Sequence, residues 1–367
     1  MCSNSNDIRK SFAYLRGEKK MRHHEIAKFL QISEAQLIDA HVGISKVDVV
    51  QSLPNIARAV RLKNDWPEIL RHIEALGEVL ALTRNKYGVH EKICHYENIS
   101  LQSQVGQVSS AQFDLRLLYK NWEFAYLFEE NKANVLQKSI QFFDECGVPV
   151  HKIFLLPISS HVQFEYIENF LADSSQESGI LVEEKYQEMT DEVSLDLSSF
   201  DYEAFKLDWN KLKEGNHFYE LLKKYQINRL QAFELVGEEF AEPLEIHSVK
   251  FLLDSVVHFQ VPIKLCVGNR GAIQTYKGPL RKVLESNAWL SVLDPYFNLH
   301  LSMSEIGHIW LVRKPSQDGI LSSMELLDHQ GNVVAILLGD KSVGLPEPVA
   351  WRDLLEACRS QEMVTID

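Results

Sequence analysis

The chain has 367 residues, 45% of them hydrophobic, and a formal net charge of −13 at pH 7. Its length predicts two domains or one large duplicated unit, and its negative charge disfavours nucleic acid and anionic membrane surfaces as partners. The five cysteines are scattered and form no CxxC motif, so neither a disulfide scaffold nor a zinc module is expected. The longest apolar runs are far below the roughly 18 residues of a membrane span. We therefore expect a cytoplasmic protein without a membrane span.

The first helical segment reads EIAKFLQISEAQLIDAHVG, and a similar one, ELLKKYQINRLQAFELVGE, follows 195 positions later. Apolar residues recur every three or four positions in both, which is typical of amphipathic helices. Ser33 with Gln36, and Asn228 with Gln231, have the spacing of a capping box at the start of a second helix. The pair resembles a helix-turn-helix, but its second helix offers two acids and no cation for a phosphate backbone. Nucleic acid is therefore not an expected partner.

The segments that follow alternate with period 2, as in Phe113, Leu115 and Leu117 against Asp114 and Arg116. Such alternation is typical of half-buried antiparallel strands. Turn signals such as GNRG, DHQGN and DECG separate these strands at hairpin spacing. The sequence therefore predicts helices followed by an antiparallel sheet.

The same order of segments occurs twice in the chain. Phe113 and Phe297 are 184 positions apart, and so are Asn85 and Asn269, in a register that holds for about 60 residues. We predict an α+β fold with an internal duplication, in which two similar halves each pack helices on a large antiparallel sheet.

The division of the chain follows from this repeat. Residues 1–171 form the predicted N-terminal repeat, and residues 203–367 form the predicted C-terminal repeat. Between them, 172–202 is acidic and has little apolar periodicity, so we predict a crossover linker there.

Familiar catalytic and metal-binding motifs are missing from the sequence. It contains no HExxH, Walker loop, GxGxxG or GxSxG pattern. Arg116 stands out because it lies among apolar strand residues, and its counterpart in the second half is the titratable His300. An ion pair of Arg116 with Asp114 is the alternative interpretation on spacing alone.

Several long motifs resemble the HemS-type hemin-degrading factor family of bacterial cytoplasmic haem-handling proteins. In the second half they are VGNRGAIQTYKGPL, WLSVLDPYFNLHL, VRKPSQDG and SMELLDHQGN. In the first half they are TRNKYGVHEKICHYEN, FDLRLLYKNW and KSIQFFDECGVPVHKIF. The resemblance covers most of the chain and implies a duplicated fold of two stacked sheet-and-helix halves.

The resemblance implies that haem is the cofactor and binds in a cleft beside the C-terminal half. A helical histidine would ligate the iron, and an arginine of the N-terminal half, Arg116 here, would lie on the opposite face. A guanidinium has fixed donors that can hydrogen-bond a water or hydroxide on the iron, so Arg116 is the expected catalytic residue. Arg229 is expected to pair with a haem propionate.

At the position of the axial ligand this sequence reads Asn216-His217-Phe218-Tyr219. The family pattern places Asn216 at the ligand position, where its other interpretation is the N-cap of a helix over 217–225. We expect the neighbouring His217 to be the metal ligand, because a neutral imidazole binds ferric iron better than an amide does.

Four further pocket positions differ from the family pattern. Lys264 and Cys266 stand where Met and Phe are common, and Ile336 and Leu338 where Gln and Tyr are common. Two functions therefore remain open. The first is a haem-binding protein that carries imported haem or degrades it oxidatively with an external electron donor. The second is a diverged member that has lost haem and binds another ligand in the same cleft.

Whether the protein is an enzyme is left open by the sequence. A carrier needs only reversible haem binding, whereas an oxygenase also needs oxygen chemistry directed at the porphyrin ring. The expected partners are haem itself and components of a haem importer or a haem oxygenase.

Overall fold

A computed structural model describes residues 4–46, 57–132, 135–184, 200–213, 215–342 and 344–360. Within these ranges the structure contains ten helices and two nine-stranded antiparallel sheets. None of the helices in these ranges is both long and apolar enough to cross a membrane. The predicted α+β class is confirmed.

The helices in chain order are α1 (Ser5–Gly17), α2 (His23–Leu30), α3 (Glu34–Asp39), α4 (Trp66–Ile73), α5 (His161–Leu171), α6 (Tyr202–Trp209), α7 (Gly215–Tyr225), α8 (Arg229–Val236), α9 (His247–Phe259) and α10 (Val349–Ser360). Both predicted capping boxes form, at Ser33 with Gln36 and at Asn228 with Gln231. In each box the cap side chain accepts from the third residue's backbone N–H, and the glutamine accepts from the cap N–H.

The strands are β1 (Ala57–Arg61), β2 (Val79–Arg84), β3 (Gly88–Cys94), β4 (Ser100–Leu101), β5 (Gly106–Ser110), β6 (Phe113–Leu117), β7 (Phe124–Lys132), β8 (Val135–Phe143), β9 (Pro149–Leu155), β10 (Ala241–Leu244), β11 (Ile263–Gly268), β12 (Ala272–Gly278), β13 (Val283–Ser286), β14 (Trp289–Asp294), β15 (Phe297–Ser302), β16 (Ile306–Ser316), β17 (Gly319–Asp328) and β18 (Val333–Gly339). Short 3₁₀ turns cover Glu74–Leu76, Tyr119–Asn121 and Met303–Glu305.

Each sheet is built from strands of both halves. The first sheet has the order β1-β7-β8-β9-β2-β3-β15-β14-β13, and the second has the order β10-β16-β17-β18-β11-β12-β6-β5-β4. The two orders become identical when the halves are exchanged, so the duplication is confirmed. Each half thus supplies six strands to its own sheet and three to the other.

The 184-residue register also relates the cross-strand neighbours of individual residues in the two sheets. Arg116 lies opposite Ile273 and Gln107, and His300 lies opposite Val89 and Ser291, which are the equivalent residues. Arg116 and His300 therefore occupy matching positions, as predicted. The domain boundaries at 171 and 203 stay a prediction, and residues 185–199 of the predicted linker lie outside the described ranges.

Two asparagines make reciprocal hydrogen bonds between the halves. The Asn269 side-chain amide donates to the carbonyls of Arg84 and Val150, both at 2.9 Å, and that of Asn85 donates to the equivalent Gly268 and Val334 at 3.1 and 2.8 Å. Each asparagine oxygen also accepts two backbone N–H groups in its own tight turn. The two turns therefore hold each other across an approximate two-fold axis.

The sheets also meet through buried polar groups near that axis. Gln274 donates to Nδ1 of its own repeat counterpart His90 at 2.7 Å and to the carbonyl of Ala81 at 3.1 Å. Thr83 donates to the Gln274 side-chain oxygen at 2.8 Å. Burial lowers the pKa of His90 to about 3, so its imidazole is neutral and can accept this hydrogen bond.

Helices cover the two faces of each sheet unequally. In the second sheet, α9 and α10 pack on the inner face, and α6, α7 and α8 pack on the outer face only around β10, β16 and β17. In the first sheet, α4 and α5 pack on the inner face and α1, α2 and α3 on part of the outer face. The outer face of β18, β11, β12 and β6 is therefore left outside the helical cluster.

We expect Asn269→Ala to lower the free energy of unfolding by about 2–4 kcal/mol, because it removes four hydrogen bonds and leaves partly buried backbone groups without partners. Urea denaturation measures the loss. Asn210→Ala is the control, since its amide makes one exposed bond to the Lys206 carbonyl. A loss for Asn269→Ala as small as that of the control would contradict the role given to the reciprocal turns.

Candidate functional site

A layer of aromatic rings fixes α7 and α8 on the second sheet. The ring of Phe218 in α7 stacks on that of Phe233 in α8, with 6.1 Å between centroids. The Lys314 ammonium lies 4.2 Å, and the Arg229 guanidinium carbon 4.9 Å, from the Phe218 ring centroid. Cations over an aromatic face are attracted by the negative π-electron side of the ring quadrupole, so Phe218 anchors the start of α7.

Those two cations share one buried carboxylate. Glu325 on β17 is completely buried and binds both the Arg229 guanidinium and the Lys314 ammonium. It also accepts from the Ser323 hydroxyl at 3.2 Å. Burial alone would raise the pKa of Glu325, but Arg229 and Lys314 outweigh it and lower this pKa to about 2. The carboxylate is therefore ionised, and Arg229 meets a protein anion here.

The outer face beside these helices is half-exposed. Along β11, β12 and β6, buried residues alternate with residues that keep partial contact with solvent. We call the half-exposed set the cleft floor, and it consists of Asp114, Lys264, Cys266, Thr275, Lys277, Ile336 and Leu338. Thr275 donates to the Cys266 sulfur at 3.2 Å. Burial raises the pKa of that thiol to about 11, so Cys266 stays neutral at pH 7.

Arg116 lies on the far side of the cleft floor. It is exposed on β6, the strand of the N-terminal half that lies next to β12 in this sheet. Four strand spacings separate β6 from β17, which corresponds to about 19 Å. Arg116 and the helical layer therefore lie at opposite ends of the cleft floor, on the same face of the sheet.

His217 lies at the start of α7 and is partly exposed. Because it immediately precedes Phe218, its side chain leaves the helix about 100° away from that buried ring. Asn216 lies inside the helix, which begins at Gly215, so the alternative interpretation of Asn216 as the N-cap of a helix over 217–225 is wrong. The side chain of Asn216 lies outside the described part of the structure.

The structure brings His217 and Arg229 into one helical layer and places Arg116 on the opposite side of the floor. Their roles in binding and catalysis stay predictions. Sequence reasoning missed Glu325 and Lys277, although the 184-residue register held a signal. That register sets Glu325 against Gln141 and Lys277 against Ile93, so a charge appears in one half only.

The equivalent groove of the first half has different chemistry. At the offset of 195, the counterpart of His217 is Arg22, and the sheet residue equivalent to Arg116 is His300. Nδ1 of His300 lies 2.9 Å from the Ser291 hydroxyl, and burial lowers its pKa. A guanidinium offers no lone pair to a metal. The first groove nevertheless has helical imidazoles, since α2 begins with His23 and His24, so the second groove differs mainly in carrying Arg116 on the sheet where the first carries His300.

The fold and the site define a class of protein: a duplicated α+β protein in which both halves place cationic side chains on one half-exposed sheet face. The family described as the Haemin-degrading HemS.ChuX domain matches residues 31–170 and 226–358. The chain belongs to this family, which confirms the resemblance seen in the sequence.

Similar proteins cover nearly the whole chain. The hemin transport protein HemS of Yersinia enterocolitica is 32% identical over 341 residues, which are 92% of this chain and 93% of that protein. Holo-PhuS, a heme-binding protein from Pseudomonas aeruginosa, matches with a TM-score of 0.89 and 34% identity over 97% of this chain and 99% of its own. The heme-degrading enzyme ChuS of Escherichia coli O157:H7 matches with a TM-score of 0.84 and 27% identity over 96% and 99%.

We expect Glu325→Gln to lower the free energy of unfolding by about 3 kcal/mol at pH 7, because it leaves two cations without their shared anion. The folded-state pKa of Glu325 lies below its ordinary value, so its contribution is present above about pH 4.5 and disappears as the pH falls towards 2. Urea denaturation at several pH values should therefore show parent and variant converging at acid pH.

The matched control is Glu356→Gln, which removes an exposed carboxylate that pairs with Arg359 within one helix. We expect it to change the free energy of unfolding by less than about 1 kcal/mol. A difference between parent and Glu325→Gln that is the same at pH 7 and pH 2.5 would contradict the assigned ionisation.

Proposed function

We propose that this protein binds haem in the cleft between α7 and Arg116 and carries it or degrades it oxidatively. The single observation that supports this most strongly is the placement of a helical imidazole and a guanidinium on opposite sides of a half-exposed floor. Its relatives HemS, PhuS and ChuS are a hemin transport protein, a heme-binding protein and a heme-degrading enzyme. Haem is thus the ligand, and its iron and ring supply the redox chemistry when bound.

Different residues of the cleft would bind different parts of the haem. His217 would hold the iron through the lone pair of a ring nitrogen, and Asn216 occupies the neighbouring position on the helix. Arg229 already binds Glu325, but a guanidinium has five donors in a fixed fork, so it can keep this partner and also donate to a propionate. The predicted propionate contact is therefore compatible with the ion pair.

Arg116 acts from the opposite side of the cleft. Arg116 is exposed on the same face of the sheet as the cleft floor, where guanidinium N–H groups would orient oxygen atoms near the iron. The half-exposed apolar side chains of Ile336 and Leu338 limit water around the ligand. Arg116 would therefore contact the bound haem and also act in its degradation.

We place this activity in the cytoplasm. Cys94, Cys266 and Cys358 are free thiols, as expected for a reducing compartment. Components of a haem importer would deliver the ligand there, and a separate haem oxygenase would receive it if the protein acts only as a carrier.

Titration with hemin, followed by the Soret band, tests the binding site. We expect His217→Ala to shift the Soret maximum and weaken binding by at least tenfold, because losing even a group that only orients a ligand costs about 10–100-fold. Asn216→His should give the spectrum of a protein whose iron is ligated by a histidine at the family's usual position. His247→Ala, an exposed histidine on the other side of the sheet, is the control.

A His217→Ala protein with the parent's spectrum and affinity would show that another residue ligates the iron. A parent without any Soret change at excess hemin would reject haem as the ligand and favour the diverged binding protein.

We expect Arg116→Ala to retain hemin binding within about tenfold and to slow ring opening with ascorbate by about 100-fold, the usual cost of losing a charge-stabilising donor. Loss of Soret absorbance over time measures the rate. Arg352→Ala, an exposed arginine on α10, should match the parent. Equal rates in Arg116→Ala and the parent would remove Arg116 from the reaction, and a parent whose Soret band persists in ascorbate carries haem without degrading it.

A further inference from the structure

Two lysines lie directly opposite each other on the cleft floor. Lys264 on β11 pairs with Lys277 on β12 in the strand register, so their β-carbons are about 5 Å apart. Like charges in this arrangement repel each other and destabilise a sheet. Each ammonium group is tied to a carboxylate on its outer side, Lys264 to Asp340 at 3.4 Å and Lys277 to Asp114 at 3.0 Å. The two cations therefore form the centre of a row of four charges.

The fold itself does not require these charges. In the first sheet, the equivalent directly opposed pair is Leu80 and Ile93. The counterparts of the two aspartates are also uncharged, since Leu156 matches Asp340 and Asn298 matches Asp114. The same strand pairing thus forms in the first sheet without these four charges. The requirements of the fold therefore do not explain why two lysines lie opposite each other in the second sheet.

The position of the pair points to a ligand. Both lysines belong to the half-exposed face that also carries Cys266 and Arg116, and their side chains keep 27% and 17% of their exposure. An ammonium group has three donors, so each lysine can keep its aspartate and still donate to one more anion. A carboxylate placed between them would relieve their repulsion and accept charge-assisted hydrogen bonds from both.

We propose that Lys264 and Lys277 form a carboxylate-binding subsite and that it takes a propionate of the haem. This assignment rests on the function proposed above. Arg229 and Lys314 share Glu325, and each of the two opposed lysines binds an aspartate but still has donors for a second carboxylate. The subsite thus fixes the orientation of the ligand in the cleft.

The test compares hemin with hemin dimethyl ester, in which both propionates are esterified and uncharged. The variant Lys264→Leu/Lys277→Ile copies the residues that the first half carries at these positions. We expect its dissociation constant for hemin to rise about tenfold or more, and that for the ester to stay within about threefold of the parent value. Lys264→Arg/Lys277→Arg, which keeps both charges, should bind hemin like the parent.

Lys250→Met is the control for net charge, because Lys250 pairs only with Asp254 in α9 among the ion pairs of the described residues. A double variant that binds hemin like the parent would overturn the subsite, and so would an equal loss of affinity for hemin and the ester. A parent that produces no Soret change with either compound would instead reject the proposed function, and the propionate assignment with it.

Discussion

The hydrogen bonds between the turns of Asn85 and Asn269 join the two halves, and the position of the cleft floor depends on how they are joined. Each amide donates to backbone carbonyls of the other half, and each turn leads into the strand that borders the exchanged hairpins. The exchange extends the second sheet by three strands beyond the reach of α6, α7 and α8. The open floor and its distant arginine follow from this extension, so the cleft is a product of the duplication and neither half contains it alone.

The cleft also reverses the charge of the protein locally. Overall the chain carries a net charge of −13, yet Arg116, Arg229, Lys264, Lys277 and Lys314 converge around one floor. Carboxylates bind four of these five cations and hold their side chains in place, since Glu325 binds both Arg229 and Lys314, Asp340 binds Lys264 and Asp114 binds Lys277. A local positive potential of this kind attracts an anionic ligand, and the acidic remainder of the surface discourages non-specific binding to nucleic acid.

The sequence was sufficient to predict the duplication, the capping boxes and the equivalence of Arg116 with His300, because local patterns and a constant register carry that information. It did not predict the exchange of strands, since alternation with period 2 tells which face a residue occupies but not which strand lies beside it. The pairing of Arg229 with Glu325 was missed for the same reason. Those two residues are 96 positions apart, and only the packing of α8 on β17 brings them together.

The first-half groove shows which features of the cleft belong to the fold and which to its chemistry. The strand register, the capping boxes and the anchoring turns are common to both halves, so the architecture requires them. At the position of His217 the first half has Arg22, which directly precedes the helical histidines His23 and His24, and Leu80 with Ile93 replaces the two lysines. An apolar pair cannot hold a carboxylate. Helical histidines therefore occur in both halves, whereas the opposed lysines and the sheet arginine at the position of His300 belong to the second groove and are the features that an anionic ligand would need.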